Sequence, residues 1–520
     1  MTDSSLASAD VPFGRRETDL DTIAAYWLTH PTANALNERT WSDLNGDALF
    51  ALVDSTSCGA GQQLLYEVLR EPSRDAAELA QRDAAISAID APLRRQLAAT
   101  LREARDLHGV HRLFGEDLPA RPPFAPVVPL LTGLAVLSTI ALVVTSAAAI
   151  APFLIVALIN FALQIGYRSR IHGFIPAVAS LRALLRAAEV LARLEVPALD
   201  REVQTLRAAM PRVASLAKST SWLFLEHASA NEMTKMVTMY LNMFLLLDVN
   251  AFVSSISIIR RERASLEAVF RAVGLIDAYA SAAAFRGRLE IFTRPQFVQA
   301  DGRAQLQLRG AVHPLLGDPI ANDLTVDGHG VLITGSNMSG KTTFLRTVAI
   351  NALLAQSLCT VAAEEYVAPL LAIRTAIGGG DSLLEGKSYY MKQVEDIREL
   401  VRAAERGETS LFIVDELFRG TNTVERIAAG KAILSQLARG SHIVLAATHD
   451  LELIELLGER YDVYHFAESL AEGALAFDYK LHHGAASTRN AIALLAASEF
   501  PPAVVTEAYE TVALLEKRWH

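Results

Sequence analysis

The stretch of sequence that decides the fold reads VLITGSNMSGKT, residues 331–342. Its first four residues are an apolar run typical of a buried strand, and its last eight match the phosphate-binding pattern GxxxxGK[ST]. A helical pattern opens at about Lys341, so the loop lies between a strand and a helix, as this pattern requires. The backbone amides of such a loop attract phosphate groups. The sequence therefore predicts a nucleotide-binding α/β domain.

Two residues of this loop have predicted chemical tasks. Lys341 should reach the β- and γ-phosphates of ATP and act in catalysis, and Thr342 should ligate Mg²⁺. Glycine is needed where the chain passes close to the phosphates. The remaining predicted contacts to the nucleotide are Gly335, Ser336, Asn337, Met338, Ser339, Gly340 and Thr343.

Two further apolar runs predict strands whose ends supply catalytic groups. Residues 411–414 read LFIV and end in Asp415 and Glu416. Asp415 should hold the hydration shell of Mg²⁺, and Glu416 should polarise the attacking water as the catalytic acid–base group. Residues 443–447 precede His449, which is predicted at the same sheet edge and could orient the γ-phosphate.

Composition adds limits on the class of protein. A chain of 520 residues is expected to form two or more domains. With 51% hydrophobic and 20% charged residues, it is more apolar than a typical soluble protein. The two cysteines suggest neither a disulfide framework nor a zinc site. The net charge of −10 gives no global reason to expect nucleic-acid binding.

The excess of apolar residues is concentrated in residues 122–167, which contain no ionisable side chain apart from Tyr167. This stretch is long enough for two membrane crossings, with helices predicted at 127–145 and 149–166. A buried hairpin within a helical core is the alternative. By the positive-inside rule, the flanking arginines predict a cytoplasmic membrane protein with both termini and the ATPase domain in the cytoplasm. Those arginines are Arg112, Arg121, Arg168 and Arg170.

A second apolar stretch, residues 236–259, is interrupted by Asn242, Asp248 and Asn250. A charge near the middle of a membrane is costly, and a third crossing would separate the ATPase domain from cytosolic ATP. We therefore predict a buried core helix here. The helical stripe of leucines at residues 181–191 is likewise predicted to be core.

From Ala311 to about Ala503 the chain resembles the ATPase domain of MutS-type mismatch-repair proteins, a branch of the ABC-type ATPases. Four motifs in the correct order carry the resemblance: ITGSNMSGKTTFLR at 333–346, GGGDSLLEGKSYY at 378–390, IVDELFRGTNT at 413–423 and ATHDLEL at 447–453. A weaker resemblance places residues 54–72 at the start of the MutS helical core.

The resemblance implies a fold class: an α/β P-loop (ABC-type) ATPase domain at the C-terminus, preceded by an all-α MutS-like core with an inserted transmembrane helical hairpin. The predicted segments are an N-terminal helical region that begins the core, a hairpin, a helical core and lever region, and the ATPase domain. Their ranges are 1–121, 122–167, 168–300 and 301–520.

The resemblance also implies roles for individual residues. Asn337 should contact phosphates, and Ser388 should reach the nucleotide of the opposite subunit, which implies a homodimer paired through the ATPase domains. His313 and Ile320 fall where family members contact the nucleotide or its base. Two positions depart from the family: Pro319 stands where many members carry an aromatic residue that stacks on adenine, and Gln393 replaces a common acidic residue.

A mismatch reader carries a Phe-x-Glu wedge on an N-terminal domain. Here only Phe114-Gly115-Glu116 fits those letters, in a segment with no room for that domain, so we interpret the match as coincidence. The leading hypothesis is a membrane-tethered MutS-like ATPase that uses ATP and Mg²⁺ at a composite dimer site, with DNA as a partner implied by resemblance only. The alternatives are an ABC-type membrane ATPase coupled to transport or a non-DNA partner, and a scaffold that only binds ATP.

Overall fold

The computed structural model describes 19–32, 34–105, 107, 109–115, 118, 123–145, 149–171, 174–219, 241, 243–300, 302–336, 339–378, 389–418, 421–471, 474–485 and 500–519. Its contacts divide the chain into two compact units. The first takes the described residues within 1–31, 53–67 and 84–285, and the second those within 32–52, 68–83 and 286–520. The division does not follow the four predicted segments, because parts of the N-terminal region belong to the same unit as the C-terminal residues.

Helices account for most of the described part of the first unit, and the second unit combines helices with two sheets. In chain order they are α1 Leu20–Thr29, α2 Glu38–Asp43, α3 Gly46–Val53, α4 Gly59–Arg70, α5 Ala76–Ala88, α6 Ala91–Leu101, α7 Val127–Thr145, α8 Ile150–Ile171, α9 Ile175–Leu191, α10 Asp200–Ser219, α11 Leu247–Arg261, α12 Arg263–Arg288, α13 Lys341–Leu358, α14 Tyr389–Glu405, α15 Thr423–Leu437, α16 Glu452–Leu457 and α17 Pro502–Trp519.

The strands that the structure describes lie in the second unit. They are β1 Gln296–Phe297, β2 Gln305–Ala311, β3 Asn322–Asp327, β4 Gly330–Thr334, β5 Glu365–Ala368, β6 Ala372–Ala376, β7 Ser410–Asp415, β8 Ile443–Ala447, β9 Tyr461–Ala471 and β10 Ala474–His483. One sheet has the order β1-β5-β2-β3 and the other β10-β9-β4-β8-β7-β6. Among the described strands of the larger sheet, β10 is the one that runs antiparallel to its neighbour, β9.

The larger sheet positions the site because β4, β8 and β7 are adjacent and parallel. Every residue of these three strands is buried, as expected for parallel strands covered on both faces. Ile333 pairs with Ala447, which in turn pairs with Asp415. The carboxyl ends of the three predicted strands therefore meet at one edge, where ligands bind in open α/β sheets.

The core of the first unit confirms the predicted helical stripe. Leu181, Leu184 and Leu191 on α9 are all buried, as their three-and-four spacing requires. Phe114, the first residue of the apparent wedge motif, is fully buried and packs edge-on against Phe270 with ring centroids 5.4 Å apart. It is therefore a core residue and offers no exposed aromatic wedge.

Helices α7 and α8 lie where the sequence predicts them, except that α8 continues to Ile171. Both α7 and the core helix α12 are long and apolar enough to cross a membrane by length and composition. They differ in burial: only 17% of Val127–Val144 is buried, against 72% of Arg263–Arg288. The high burial of α12 is typical of a core helix.

Of the second apolar stretch, residues 236–240 and 242 lie outside the described residues. Helix α11 begins after Leu246, which is buried and has a left-handed φ of 53°. Phe252, Ile256 and Ile259 are fully buried along its inner face. The described part of the stretch is therefore a packed core helix, as predicted.

A buried carboxylate ties α12 to the start of α4. Asp277 is 1% exposed and accepts hydrogen bonds from the backbone N–H groups of Ser57 and Cys58, each within 3.0 Å. Gly61 is required beside it, because a Cβ there would lie 2.1 Å from the Asp277 carboxylate. Burial, opposed by the two N–H groups, raises the pKa of Asp277 to about 6.

This raised pKa predicts a pH-dependent stability. Because the folded-state pKa lies above the ordinary value, the proton on Asp277 favours folding below pH 4, and that contribution is lost as pH rises to about 6. The full loss corresponds to roughly 3 kcal/mol. Asp277→Asn should remove this part of the slope in unfolding free energy against pH. Glu195→Gln, on an exposed acid, should leave the slope unchanged; equal slopes in wild type and Asp277→Asn would contradict the assignment.

In the second unit the N-terminal helix α2 packs against strand β6. The buried Asp43 accepts hydrogen bonds from the Thr375 hydroxyl at 2.8 Å and the Ile377 N–H at 2.9 Å. Arg39 pairs with Asp43 and, at 3.2 Å, with Asp396 on α14. Burial raises the pKa of Asp43, against the opposing effects of these donors and of Arg39. These contacts explain why residues 32–52 belong to this unit.

Candidate nucleotide-binding site

The predicted phosphate-binding loop lies between β4, which ends at Thr334, and α13, which begins at Lys341. Gly335 and Gly340 have φ of 140° and 109°, which side-chain-bearing residues rarely adopt. A Cβ on Gly335 would also lie 3.0 Å from the Ser339 hydroxyl oxygen. Both positions therefore require glycine, and the loop can approach a phosphate closely.

Lys341 lies against the loop that precedes it. Its ammonium donates to the backbone carbonyl oxygens of Gly335 at 2.9 Å and Ser336 at 2.7 Å. The side chain is buried, and a buried ammonium needs such partners. The positive charge is therefore held inside the loop, where the phosphates of a nucleotide would lie.

The other loop residues predicted to contact the nucleotide differ in exposure, and some of them lie outside the described residues. Ser339 is buried, and its N–H donates to the Ser336 carbonyl at 3.4 Å. Thr343 is exposed in the first turn of α13. Asn337 and Met338 lie outside the described residues, as does Ser388.

Thr342 and Asp415 meet at the sheet edge as predicted. The Thr342 hydroxyl donates to Asp415 Oδ2 at 2.6 Å, and Asp415 is 8% exposed at the end of β7. Hydroxyl and carboxylate oxygens are hard donors, and Mg²⁺ is usually held by one or two such protein groups together with water and phosphate oxygens. The pair therefore fits a magnesium ion bound with a nucleotide.

Glu416 and His449 form a second pair at this edge. His449 Nε2 lies 2.9 Å from Glu416 Oε1, with the Glu416 side chain 14% and the His449 side chain 37% exposed. The Glu416 N–H donates to the Ala447 carbonyl at 3.0 Å, and its φ of 52° is left-handed. Left-handed non-glycine residues cost energy and cluster at functional sites. The structure thus places His449 against the predicted water-polarising carboxylate.

Three further contacts of the loop and sheet edge are not predicted by the sequence. The Ser336 hydroxyl donates to Glu468 on β9. The Gln393 amide donates to the Glu416 carbonyl at 2.7 Å. Arg426 forms a bidentate ion pair with Asp450, the residue after His449, at 2.8 and 2.5 Å. Each joins residues 23 to 132 positions apart in the chain, so no local pattern signals them.

The residues expected near the base lie before β3. His313 is buried, and burial, with a smaller effect of Arg346, lowers its pKa to about 4. The imidazole is therefore neutral near pH 7 and carries no charge to a phosphate. Ile320 is 44% exposed, and its carbonyl accepts from the Asn322 amide at 3.2 Å.

An aromatic side chain that the sequence analysis missed lies beside the loop. Tyr479 on β10 is 45% exposed and has a left-handed φ of 53°. Its ring lies 3.3 Å from where a Cβ on Gly340 would stand, and its carbonyl accepts from the Asn322 amide at 3.0 Å. Tyr479 thus offers an exposed ring next to the Ile320 segment, where Pro319 supplies none.

Comparison with known proteins identifies the same part of the chain, the one that carries the glycine loop and the sheet edge. Residues 331–516 match the family model described as MutS domain V. The DNA mismatch repair protein MutS of Thermus thermophilus is 34% identical over 263 residues, which are 50% of this chain and 31% of that protein. MutS of Chloroflexus aurantiacus is 34% identical, over 48% of this chain and 27% of its own length. DNA mismatch repair protein MutS 2 of Halobacterium salinarum is 32% identical, over 47% and 29%.

The strand, glycine loop, helix and paired acids define a P-loop nucleotide-binding protein. The match to MutS domain V and the identities with MutS proteins then specify this region further: residues 331–516 form a domain of the MutS domain V type. The aligned region spans less than a third of each of these relatives.

Proposed function

We propose that the protein binds ATP with Mg²⁺ and hydrolyses it. The observation that carries the proposal is the meeting of the Thr342–Asp415 and Glu416–His449 pairs at the end of a glycine loop. Thr342 and Asp415 would hold Mg²⁺, which when bound neutralises charge between the β- and γ-phosphates. Lys341 would exchange its carbonyl partners for phosphate oxygens.

In this proposal Glu416 acts on water. It accepts a proton from the water molecule whose oxygen forms a bond to the γ-phosphorus. The bond from that phosphorus to the β–γ bridging oxygen breaks, which releases ADP and phosphate. His449 donates to or pairs with the Glu416 carboxylate and so orients it. Tyr479 and Ile320 would contact the base.

The test is release of phosphate from ATP by the purified chain. Turnover should require Mg²⁺ and stop when EDTA removes it, because the Thr342–Asp415 pair supplies too few ligands to retain the ion without water and phosphate. Phosphate release that continues in EDTA, or no turnover at saturating ATP and Mg²⁺, would contradict the proposal.

We further propose that two ATPase domains pair to complete the site. The support is the position of Ser388, which matches the family serine that reaches the opposite subunit's nucleotide. Pairing driven by sandwiched nucleotide should raise the mass of the particle when ATP is added and hydrolysis is blocked. Light scattering of the same sample with and without ATP measures it, and an unchanged mass would remove this part of the proposal.

A membrane tether through residues 122–167 is supported by the distribution of side chains, with apolar ones exposed and polar ones buried. Leu137 and Leu158 are 63% and 68% exposed, whereas the Asn160 side chain is fully buried and its amide donates to the Phe244 carbonyl at 2.6 Å. The Thr132 hydroxyl donates likewise to the Leu245 carbonyl at 2.8 Å. Apolar groups face outward and polar groups inward, as the hydrocarbon of a bilayer requires.

The proposed tether predicts that the chain partitions with membranes rather than with the soluble fraction. Wild type should sediment with membranes and resist alkaline extraction. Leu137→Arg combined with Leu158→Arg should release it, because each arginine costs about 2.5–3.5 kcal/mol near the middle of a membrane. Leu28→Arg, equally exposed but on α1, is the control and should stay with membranes. Wild type in the soluble fraction would remove the tether and the predicted cytoplasmic placement of both termini.

DNA is proposed as a partner because the relatives are DNA mismatch repair proteins by name. Since fold does not fix function, this part of the proposal rests on relationship alone. Purified protein should retard duplex DNA in a gel at low salt and lose the effect as salt rises. No retardation even at low salt would favour a non-DNA partner.

A further inference from the structure

The peptide that carries Glu416 has an unfavourable backbone conformation and lies beside the start of α14. Glu416 and Phe418 both have left-handed φ, 52° and 56°, although neither is glycine. Such residues persist only where their surroundings hold them. Two side chains three positions apart on α14, Tyr390 and Gln393, face this segment.

Each of the two makes one defined contact. The Tyr390 ring lies 5.9 Å from the Phe418 ring, centroid to centroid. Gln393 is 8% exposed, and its amide nitrogen donates to the Glu416 backbone carbonyl at 2.7 Å. The amide oxygen of Gln393 is buried and accepts no hydrogen bond from any residue that the structure describes. The donated bond is thus the polar contact that fixes this side chain.

The chemistry of the contact depends on an amide. The Glu416 carbonyl is an acceptor, so it needs a donor, and the Gln393 NH₂ group provides one. An ionised carboxylate at position 393 would have no proton to donate and would face the carbonyl oxygen with its own oxygen. The amide group at position 393 therefore bears directly on how Glu416 is held.

We propose that Gln393 is a positioning residue for hydrolysis: by binding the Glu416 carbonyl it fixes the left-handed peptide and so places the Glu416 carboxylate against His449. This inference rests on the proposed ATPase activity. Gln393 itself need not touch the nucleotide. Its loss should therefore lower kcat and leave ATP affinity unchanged, because the phosphate-binding loop keeps its own contacts.

The first variant is Gln393→Met, which keeps the length of the side chain and removes the donor. We expect kcat to fall about tenfold to a hundredfold, since small misplacements of a catalytic group cost up to that much, with KM and ATP affinity close to wild type. Arg398→Met, on the exposed face of the same helix, is the matched control and should leave kcat unchanged.

The second variant, Gln393→Glu, adds a readout that a packing role would not produce. A buried carboxyl group has a raised pKa and, once protonated, can donate as the amide does. The ratio of variant to wild-type kcat should therefore rise as pH falls, whereas the ratio for Gln393→Met should stay flat. The other ionisable groups are common to all three proteins, so their own titration affects the variants and the wild type alike; they include Glu416, whose carbonyl accepts from Gln393, its partner His449, and Lys392, Glu395 and Asp396 on the same helix.

The possible outcomes distinguish the role of Gln393 from the ATPase activity on which it rests. Wild-type turnover together with unchanged kcat in both variants overturns the role of Gln393 and leaves the ATPase proposal standing. A parallel loss of kcat, ATP affinity and melting temperature in both variants also overturns it, in favour of a packing role. A wild-type chain that binds but never hydrolyses ATP overturns the ATPase proposal and the inference with it.

Discussion

Replacement of Glu416 by glutamine is expected to abolish ATP hydrolysis while ATP stays bound. Glutamine has nearly the same size and can keep the left-handed backbone, but it cannot accept the proton of the attacking water. Removing such a general base typically costs about 10²–10⁴ in rate. Thr342, Asp415 and the loop lysine are untouched, so the nucleotide and Mg²⁺ should still bind.

The measurement is single-turnover phosphate release beside retention of labelled ATP on the protein. Glu425→Gln changes an exposed acid in the first turn of α15 and serves as the control, with wild-type turnover expected. If Glu416→Gln hydrolysed ATP at the wild-type rate, the Glu416–His449 pair would not be the site of water activation. The chain would then fit the hypothesis of a scaffold that only binds ATP.

Replacement of Lys341 by alanine should weaken ATP binding and hydrolysis together. The ammonium is buried, and it is the charge that the loop carbonyls of Gly335 and Ser336 hold in place for the phosphates. Loss of one charged group from a desolvated site costs about 2–5 kcal/mol, and a comparable electrostatic donor is worth about 10²–10³ in kcat. The fall in kcat/KM should therefore exceed the fall in kcat alone or in ATP affinity alone.

Equilibrium binding of a fluorescent ATP analogue and steady-state turnover, measured on the same preparation, check this expectation. Lys431→Ala, which removes an exposed lysine from α15, is the control. Wild-type affinity and turnover in Lys341→Ala would show that the nucleotide binds somewhere other than the glycine loop.

The central part of the site was predictable because its signals are local. The loop between a strand and a helix is fixed by residues within a dozen positions of Lys341, and the strands that end at Asp415 and Ala447 contain the short apolar runs LFIV and IVLAA. Parallel strands bring their carboxyl ends to one edge, so Thr342, Asp415 and Glu416 meet there. The hairpin helices were predictable for the same reason, since their composition alone indicates them.

The contacts that refine the site were not predictable from these local patterns. Glu468, Gln393 and Tyr479 reach the glycine loop or Glu416 only after the chain has folded, and polar or aromatic residues on a strand or helix are ordinarily surface or core groups. The contacts that hold residues 32–52 in the C-terminal unit include those of Asp43 with Thr375 and Ile377, which lie more than 300 positions later. An acid in a short helix does not indicate, from the sequence alone, that its partners lie so far along the chain.

The most direct test of the central claim is calorimetric titration of the wild-type chain with a non-hydrolysable ATP analogue in the presence of Mg²⁺. We expect saturable uptake at one site per chain, weaker when EDTA replaces Mg²⁺, because the Thr342–Asp415 pair and the glycine loop would bind the metal and the phosphates together. Titration without any heat of binding, confirmed by equilibrium dialysis that finds no bound nucleotide, would contradict it.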